Sequence, residues 1–275
     1  MDDYRAVNRA NWDDRAAVHA ASAFYGVERL VADPAALSTV VRFDVPRLGD
    51  ITGLRGVHLQ CHIGTDTISL SRLGARMIGL DFSGAAIAEA RRLAARIDAD
   101  TEFVQAEVYD AIDALGRRRF DLVFTGIGAL CWLPDIRRWA RVVAELLEPR
   151  GRLFLREGHP VLWAIDERHR DRLVIDYPYF ETPQPIVFDD ATTYVETEVT
   201  LEHSVTQSWN HGLGEIVSAL LDEGMTLTQL VEHDTVPWEA LPGQMQRVGE
   251  LQEWRLVERP ERLPMTYTLQ AVKPA

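Results

Sequence analysis

The apolar residues of this chain change their spacing repeatedly between residues 56 and 157. Short apolar or alternating runs, which are typical of buried strands, are separated by stretches in which apolar residues recur at helical spacing. Strands are predicted at 57–60, 76–80, 102–106, 120–125 and 152–156. Helices are predicted at 65–73, at 85–97 with Ser83 as its cap, and at 136–147. This alternation predicts an α/β fold with a mostly parallel sheet covered on both faces.

The pattern differs on both sides of this segment. Residues 1–50 have helical spacing, with a helix over 4–21, a break at Pro34, and a short helix or extended link over 37–43. They are too few to bury a core of their own, so we expect an N-terminal helical cap. Residues 158–208 are rich in Thr, Val, Tyr and Glu, which favour strands. Strands predicted at 173–180, 185–188, 192–200 and 201–209 would form an antiparallel β insertion after the fifth strand.

Residues 209–275 return to the earlier alternation. A helix is predicted at 213–221, and strands at 226–232 and 265–272 would complete a seven-stranded sheet. Residues 235–262 are predicted to be a loop or a short helix on the surface. We therefore expect one domain over 1–275, made of the cap (1–50), a core (56–157), the insertion (158–208) and the C-terminal part of the core (209–275).

The composition narrows the classes of partner. The formal net charge is -13 and the sequence pI is about 5.1, so the chain should repel nucleic-acid phosphates and anionic lipid. The N-terminus has no apolar leader, and no apolar run is long enough to span a bilayer. Cys61 and Cys131 fall in predicted core segments, without metal-ligand spacing. We expect a cytoplasmic protein with a small-molecule partner, and neither a metal, a nucleic acid nor a membrane.

Candidate binding residues stand directly after the predicted strands. His62 and Gly64 follow the first strand, Asp81 and Phe82 the second, Glu107 and Val108 the third, and Gly126 the fourth. In a parallel α/β sheet, ligands lie across these carboxyl ends. Glycine at position 64 suits a tight turn that lets a ligand approach the backbone. An acid such as Asp81, after the second strand, can accept both hydroxyls of a ribose, which predicts an adenosine-bearing cofactor.

Over residues 57–160, and more weakly over 209–232 and the last strand, the chain resembles the class I S-adenosylmethionine-dependent methyltransferases. Asp81 matches the ribose acid of that family, and Glu107 in FVQAEVYD matches the acid near the adenine, with Val108 packing on the ring or donating its N–H. LLEPRGRLFLRE matches the turn into the fifth strand, and WNHGLGEIVSALLDEGMTL resembles a substrate-side segment of small-molecule members. The resemblance implies a Rossmann-like sheet, S-adenosyl-L-methionine as cofactor, and methyl transfer.

The first motif departs from the family pattern. When the motif is aligned on Gly64, the family's acid falls on His58, and its first two glycines fall on Gln60 and His62. Either these side chains replace backbone contacts to the amino and carboxylate groups of the cofactor, or the site has lost affinity. We favour the first explanation, because both acids are in register.

The reaction implied is an in-line attack by an O, N or S nucleophile on the sulfonium methyl group. A hydroxyl acceptor would need a general base, and His159 and His211 are the candidates, whereas a thiol or an amine of low pKa would need none. Trp132, Trp163, Tyr179 and Trp209 lie in segments expected to cover the site, so we predict that they contact the substrate. The cap and the insertion would close as a lid over a small, partly aromatic or apolar acceptor.

Two other functions remain open at this point. A nicotinamide-dependent oxidoreductase shares the strand, the turn and the ribose acid, but Thr65, Asp66 and Thr67 stand where it needs further glycines. It also leaves Glu107 without a role. A non-catalytic protein that binds the cofactor or a metabolite is the second alternative, and the altered first motif is its support.

Overall fold

The computed structural model describes residues 4–275, and the first three residues of the predicted cap lie outside that range. The helices are α1 (Tyr4–Ala21), α2 (Val27–Ala32), α3 (Thr39–Leu48), α4 (Thr65–Arg72), α5 (Gly84–Arg96), α6 (Ala111–Ala114), α7 (Ile136–Leu146), α8 (Pro160–Trp163) and α9 (Leu213–Asp222). The strands are β1 (Arg55–Leu59), β2 (Arg76–Asp81), β3 (Glu102–Gln105), β4 (Phe120–Thr125), β5 (Leu147–Gly158), β6 (Ile186–Asp189), β7 (Val205–Ser208), β8 (Thr226–His233), β9 (Met245–Val248), β10 (Glu253–Leu256) and β11 (Thr266–Val272).

Seven strands form the central sheet in the order β3-β2-β1-β4-β5-β11-β8. β1 to β5 are parallel, and β11 runs antiparallel between β5 and β8. The predicted Rossmann-like, mostly parallel α/β sheet is therefore confirmed. The chain reverses its strand order between β1 and β4, so the carboxyl ends of β1, β2 and β4 border the crevice where such sheets bind ligands.

Local sequence explains the confirmed elements. Ser83 caps α5, because its side chain accepts a hydrogen bond of 3.0 Å from the Ala86 amide. Position 79 on β2 must be glycine, since a Cβ there would lie 2.6 Å from the ring of Phe103. On one face of the sheet, α7 buries Trp139 completely in the apolar core. The first two contacts lie at or beside the carboxyl half of β2, which borders the crevice.

The N-terminal cap and the insertion pack against each other. Asn8 of α1 is buried, donates to the Gln207 carbonyl at 2.8 Å and accepts from the Gln207 amide at 2.8 Å. Asn11, also buried, donates to the His203 carbonyl at 2.6 Å. On its other side α1 holds the core, because Asp13 accepts from the Ser83 hydroxyl at 2.5 Å. The cap and the insertion thus form one cover, which is anchored beside the carboxyl end of β2.

Two predictions outside the core were wrong in part. Of the four strands predicted in the insertion, the structure has only β6 and β7, which pair antiparallel, and residues 173–180 and 192–200 form no regular strand. Strand propensity is realised only where a neighbouring strand is available, and the first segment has only an isolated bridge, from Ile175 to Ile165, while the second has no partner strand. Residues 235–262, predicted as a loop or short helix, contain the antiparallel pair β9 and β10. The helix α2 was not predicted.

Candidate cofactor and substrate site

The turn after β1 has left-handed residues at all three glycine positions of the family's loop, although only one of them, Gly64, is a glycine. Gln60, His62 and Gly64 have φ values of 56°, 50° and 78°, all in the left-handed region. A Cβ at Gly64 would lie 2.7 Å from Phe103 and 2.8 Å from Ala90, so only glycine fits there. For the other two residues the left-handed conformation costs about 1–2 kcal/mol each. Such strain persists where the surrounding structure enforces it, and it is concentrated at functional sites.

Asp81 ends β2 and holds this turn. Its carboxylate accepts from the His62 amide at 2.8 Å and from the Ser83 amide at 2.9 Å. Burial raises its pKa to about 6, although these two backbone bonds act in the opposite direction. The group is therefore mostly ionised at neutral pH. A carboxylate has about four lone-pair positions, so two remain for the hydroxyls of a ligand.

Glu107 lies at the same edge on the neighbouring strand. Asp81 pairs with Gln105 in the register of β2 and β3, and Glu107 follows two residues later. One carboxylate oxygen of Glu107 accepts from the Tyr109 amide at 2.7 Å, and burial raises the pKa of this group. The ring of Phe82 lies beneath the Arg9 guanidinium at 5.9 Å. The two predicted acids thus border one edge, whereas the Val108 side chain is part of the core.

A third acid, which the sequence did not single out, organises the loop after β4. Glu157 is almost fully buried near the end of β5 and accepts from four amides, those of residues 128, 129 and 130 and that of Gly158, at 2.6 to 2.8 Å. The loop in turn holds Gln60, whose Nε2 donates to the Ala129 carbonyl at 2.8 Å. Gly126 is buried beside His58. The sequence feature that could have identified Glu157 is an acidic residue near the end of a buried strand.

Two buried polar atoms near this turn have no partner within residues 4–275. One is the Oε1 atom of Gln60, an acceptor, and the other is the Nε1 atom of Trp12, a donor. The Trp12 ring lies 5.0 Å from the His62 ring and 5.4 Å from the Trp132 ring, measured between centroids. Buried polar groups are normally paired, so this acceptor and donor would suit the ammonium and carboxylate of a bound amino-acid group.

Both histidines predicted as bases have their ring nitrogens occupied. The Nδ1 of His159 accepts from the Val161 amide at 3.2 Å, so its Nε2 carries the proton and donates to Glu232 at 2.8 Å. The Nε2 of His211 faces the Leu130 and Leu133 carbonyls, and its Nδ1 faces the carboxylate of Glu181 at 2.8 Å. Neither ring offers a free nitrogen to a substrate, so this arrangement does not favour either as the base.

The four predicted substrate-contacting aromatics separate into two pairs. Trp132 lies against Trp12 beside the turn after β1, and Trp163 stacks on Trp238 at 5.8 Å. The other two lie toward α9 and the start of α1. The Tyr179 hydroxyl accepts from the Leu213 amide at 3.3 Å, and Trp209 packs edge-on against Tyr4 at 5.3 Å. Trp132 and Trp163 therefore contact rings of α1 and of the 235–240 segment, whereas Tyr179 and Trp209 pack toward α9 and the first turn of α1.

A row of aromatic rings crosses the site from the cap to the C-terminal part of the chain. The His19 ring lies 4.9 Å from Tyr194, Tyr194 lies 6.1 Å from Trp238, and Trp238 stacks on Trp163. We call these four rings the aromatic row. His19, Tyr194 and Trp238 were not predicted, because they come from α1, the insertion and the 235–240 segment, which no local pattern joins.

Comparison with known proteins decides the family. Residues 57–153 match the family model described as a methyltransferase domain, and these residues hold both acids and the turn after β1. Residues 57–153 are thus a methyltransferase domain, and the whole chain has the fold of S-adenosylmethionine-dependent methyltransferases. The predicted family, enzyme class and cofactor are thereby confirmed. A search of curated proteins gave no match.

Solved structures with the same fold include methyltransferases from distant sources. A protein from Listeria monocytogenes, assigned as an S-adenosylmethionine-dependent methyltransferase, is 18% identical with a TM-score of 0.61, covering 86% of this chain and 97% of its own. An S-adenosylmethionine-dependent methyltransferase from Mesorhizobium loti is 21% identical with a TM-score of 0.55, covering 84% and 95%. The glycopeptide N-methyltransferase MtfA, complexed with S-adenosylmethionine, is 18% identical with a TM-score of 0.55, covering 87% and 95%. At these identities the likeness shows the fold.

The residues of this methyltransferase fit its cofactor. The unpartnered acceptor of Gln60 and donor of Trp12 have the chemistry that the methionine end of S-adenosylmethionine requires, and Asp81 retains acceptor positions for a ribose. Two further findings concern residues 4–275. No helix in that range is long and apolar enough to cross a bilayer, and no group of His, Cys, Asp and Glu there has the arrangement of a metal site.

Proposed function

We propose that this methyltransferase methylates an O, N or S atom of a small, partly aromatic or apolar molecule by in-line displacement. The main support for this proposal is the aromatic row. It begins with His19, beside the turn after β1, and ends with Trp163, which follows β5. Aromatic rings pack favourably in offset or edge-on contact, so these rings offer an aromatic acceptor a surface on which to pack. The cofactor supplies an activated methyl group, and the protein aligns the reactants and excludes water.

We assign the cofactor contacts to residues at the strand ends. Asp81 would accept the ribose hydroxyls, and Glu107 would lie on the adenine side with Phe82 against the ring. Gln60 would take over contacts of the missing glycines through its unpartnered Oε1, and His62 would border the methionine end of the cofactor with its ring. Gly64 and Gly126 would let the turns after β1 and β4 pack closely beside the ligand, since a Cβ at Gly64 would clash with Phe103 and one at Gly126 would lie 3.4 Å from the Nε2 of His58. Val108 would contribute through its backbone alone, since its side chain is buried in the core.

The cap and the insertion would act together as a lid on a single domain over 1–275. Their mutual hydrogen bonds through Asn8 and Asn11 support joint rather than separate movement. Closure of such a cover suits a small acceptor and leaves little room for a macromolecule. The cytoplasmic location stays a proposal that rests on the two free cysteines.

Calorimetry with S-adenosylhomocysteine, the demethylated product, tests the cofactor assignment, and a thermal-shift series gives a second readout. At a concentration about 100 times the dissociation constant, the ligand should stabilise the folded state by about 2.7 kcal/mol, whereas NAD should not. Stabilisation by NAD alone would support the oxidoreductase alternative. Binding of S-adenosylhomocysteine without methyl transfer to any phenol, thiol or amine would support the non-catalytic alternative, for which the altered first motif remains the specific observation.

A pair of probes tests the aromatic preference. With S-adenosylhomocysteine bound, naphthol should bind more tightly than its fully saturated analogue decalol, which has a similar outline but no ring face. Trp238→Ala should weaken the binding of naphthol and leave that of decalol nearly unchanged. Phe180→Ala is the matched control, because Phe180 is an exposed ring of the insertion, 69% accessible, outside the aromatic row. Equal affinity for both probes would contradict the proposal.

A further inference from the structure

A chain of hydrogen bonds joins the core, the cap and the insertion at the turn after β1. The Nε2 of His62 lies 2.8 Å from the Nδ1 of His19, and the Nε2 of His19 lies 2.7 Å from the Thr193 hydroxyl. His19 is fully buried, whereas His62 and Thr193 are partly accessible. The chain therefore runs from the turn beside the cofactor contacts, through a buried ring, to a hydroxyl near the surface of the insertion.

The hydrogen-bond partners restrict the tautomers of the two rings. Two neutral rings that share one hydrogen bond must point their N–H groups in the same direction along the chain. In one arrangement His62 donates to His19 and His19 donates to Thr193, which leaves the Nδ1 of His62 without a proton. The structure gives that Nδ1 no hydrogen-bond partner among residues 4–275, so it is the open end of the chain.

The strained backbone at His62 points to a role for its side chain. A left-handed φ of 50° would cost a glycine nothing, and glycine is the residue that the family pattern has at this position. The imidazole also packs edge-on against Trp12 and Tyr25, at 5.0 and 5.2 Å. No such free nitrogen exists on His159 or His211.

We propose that His62, His19 and Thr193 form a proton relay that accepts the proton of a hydroxyl acceptor during methyl transfer. This inference rests on the proposed function. The acceptor oxygen forms a bond to the methyl carbon, and the electrons of the broken carbon–sulfur bond leave with the sulfur. The acceptor proton goes to the Nδ1 of His62, the Nε2 proton of His62 to His19, the Nε2 proton of His19 to Thr193, and the Thr193 proton to water. The reverse shift restores the chain after the product leaves.

In this relay His62 is the catalytic residue, and His19 and Thr193 are positioning residues that act through it. The surroundings explain why a relay suits this site better than a single base. Burial lowers the pKa of His62 well below its usual value and that of His19 to about 3, and the nearby Arg15 cation acts in the same direction. An imidazolium is therefore disfavoured, whereas a concerted shift leaves both rings neutral.

The groups that face the relay come from every element packed against it. Arg15 of α1 donates weakly to the Thr193 hydroxyl at 3.5 Å, Tyr25 stacks on His19 at 5.1 Å, and the Tyr194 hydroxyl bonds to that of Tyr25. The Asp81 carboxylate bonds to the backbone amide of His62 and not to its ring. The nearest titratable side chains are thus a cation and two phenols whose pKa values are raised by burial, so the relay should keep one protonation state across neutral pH.

Nitrogen NMR of the histidine-labelled protein, saturated with S-adenosylhomocysteine, reads the tautomers directly. We expect His62 and His19 to be neutral across neutral pH, each protonated at Nε2 and bare at Nδ1. Thr193→Val should shift the tautomer balance of His19, and Thr193→Ser should restore it. His203→Asn is the matched control, since it removes another histidine contact between α1 and the insertion, to Asp14, and should leave both rings unchanged.

Turnover with labelled donor gives the second readout. His62→Asn, which tolerates a left-handed backbone, should lower methylation of phenols on the order of 100-fold, and that of the more acidic thiophenols by less than about tenfold. A proton on the Nδ1 of His62, an imidazolium, equal losses on both acceptor classes, or methylation of thiols and amines alone would overturn the relay. Failure of S-adenosylhomocysteine to bind would instead overturn the proposed function.

Discussion

The core over 55–157 and the cover made of the cap and the insertion are held together in different ways. In the core, the strands pair through backbone ladders, and the ends of β2 and β5 carry acids that accept nearby amides, Asp81 and Glu157. In the cover, helix α1 is joined to the insertion by side chains that bond to distant backbone groups, such as Asn8 to Gln207.

This difference separates the residues that we assign to the cofactor from the residues that we expect to contact the acceptor. The core carries the parts that resemble other methyltransferases, including the backbone of the turn after β1 and the two acids. The cover carries the aromatic row and the second half of the histidine chain. We infer that the cofactor site depends on local structure, whereas the acceptor site depends on how three distant segments pack.

The largest expected effect concerns the core. Gly64→Ala should lower the free energy of unfolding by about 3 kcal/mol, because it adds left-handed strain to a clash with Phe103 and Ala90. Gly116→Ala is the control, since Gly116 has φ 62° and open space around its Cβ position, and should cost only about 1 kcal/mol. Chemical denaturation measures both. Equal losses would mean that the turn after β1 is not tightly packed.

The pH dependence of cofactor binding should be intermediate in size. The raised pKa of Asp81, about 6, means that its protonated form persists to higher pH than in an exposed aspartate. A protonated carboxyl loses an acceptor for the ribose, so affinity should be full above this pKa and fall as pH drops through it. One unit below the pKa the loss should be about tenfold.

Calorimetry with S-adenosylhomocysteine across this pH range measures the effect. Asp81→Asn should bind weakly at every pH and show no such slope, whereas the exposed Asp113→Asn should keep the slope of the native protein. A slope that survives in Asp81→Asn would assign the titration to another group and remove Asp81 from the ribose contact.

The smallest expected effect lies in the cover. Asn11→Ala removes the bond to the His203 carbonyl and should lower the free energy of unfolding by about 1 kcal/mol. Hydrogen exchange should accelerate in β7 and leave β11, in the centre of the antiparallel part of the sheet, unchanged. Acceleration in both strands would show that the cover and the core unfold as one unit, which would end the distinction drawn between them.

The two parts also differed in how well the sequence predicted them. Strands β1 to β4 and helices α4, α5 and α7 begin or end within two residues of their predicted bounds, because each has a clear apolar period and Ser83 marks a helix start. In the insertion, residues 192–200 have strand-forming composition but no partner strand. Local periodicity predicts an element well only when the surrounding structure supplies what that element needs.

Within the site, the sequence located Asp81 and Glu107 because each follows a strand whose neighbour is known from the topology. It could not locate Glu157 as the acceptor of four amides, nor pair His62 with His19, which is 43 residues away in the chain. It proposed His159 and His211 as bases from their positions, without knowing that their ring nitrogens already have partners.

The sequence by itself determined the parallel sheet, the turn after β1 and the acids at its carboxyl edge, since these follow from spacing along a continuous stretch of chain. Only the tertiary structure decided which histidine has a free nitrogen and which aromatic rings meet, because those contacts join residues from α1, the insertion and the C-terminal part. Side-chain pairing over such distances depends on packing geometry, and no local pattern of apolar and polar residues encodes it.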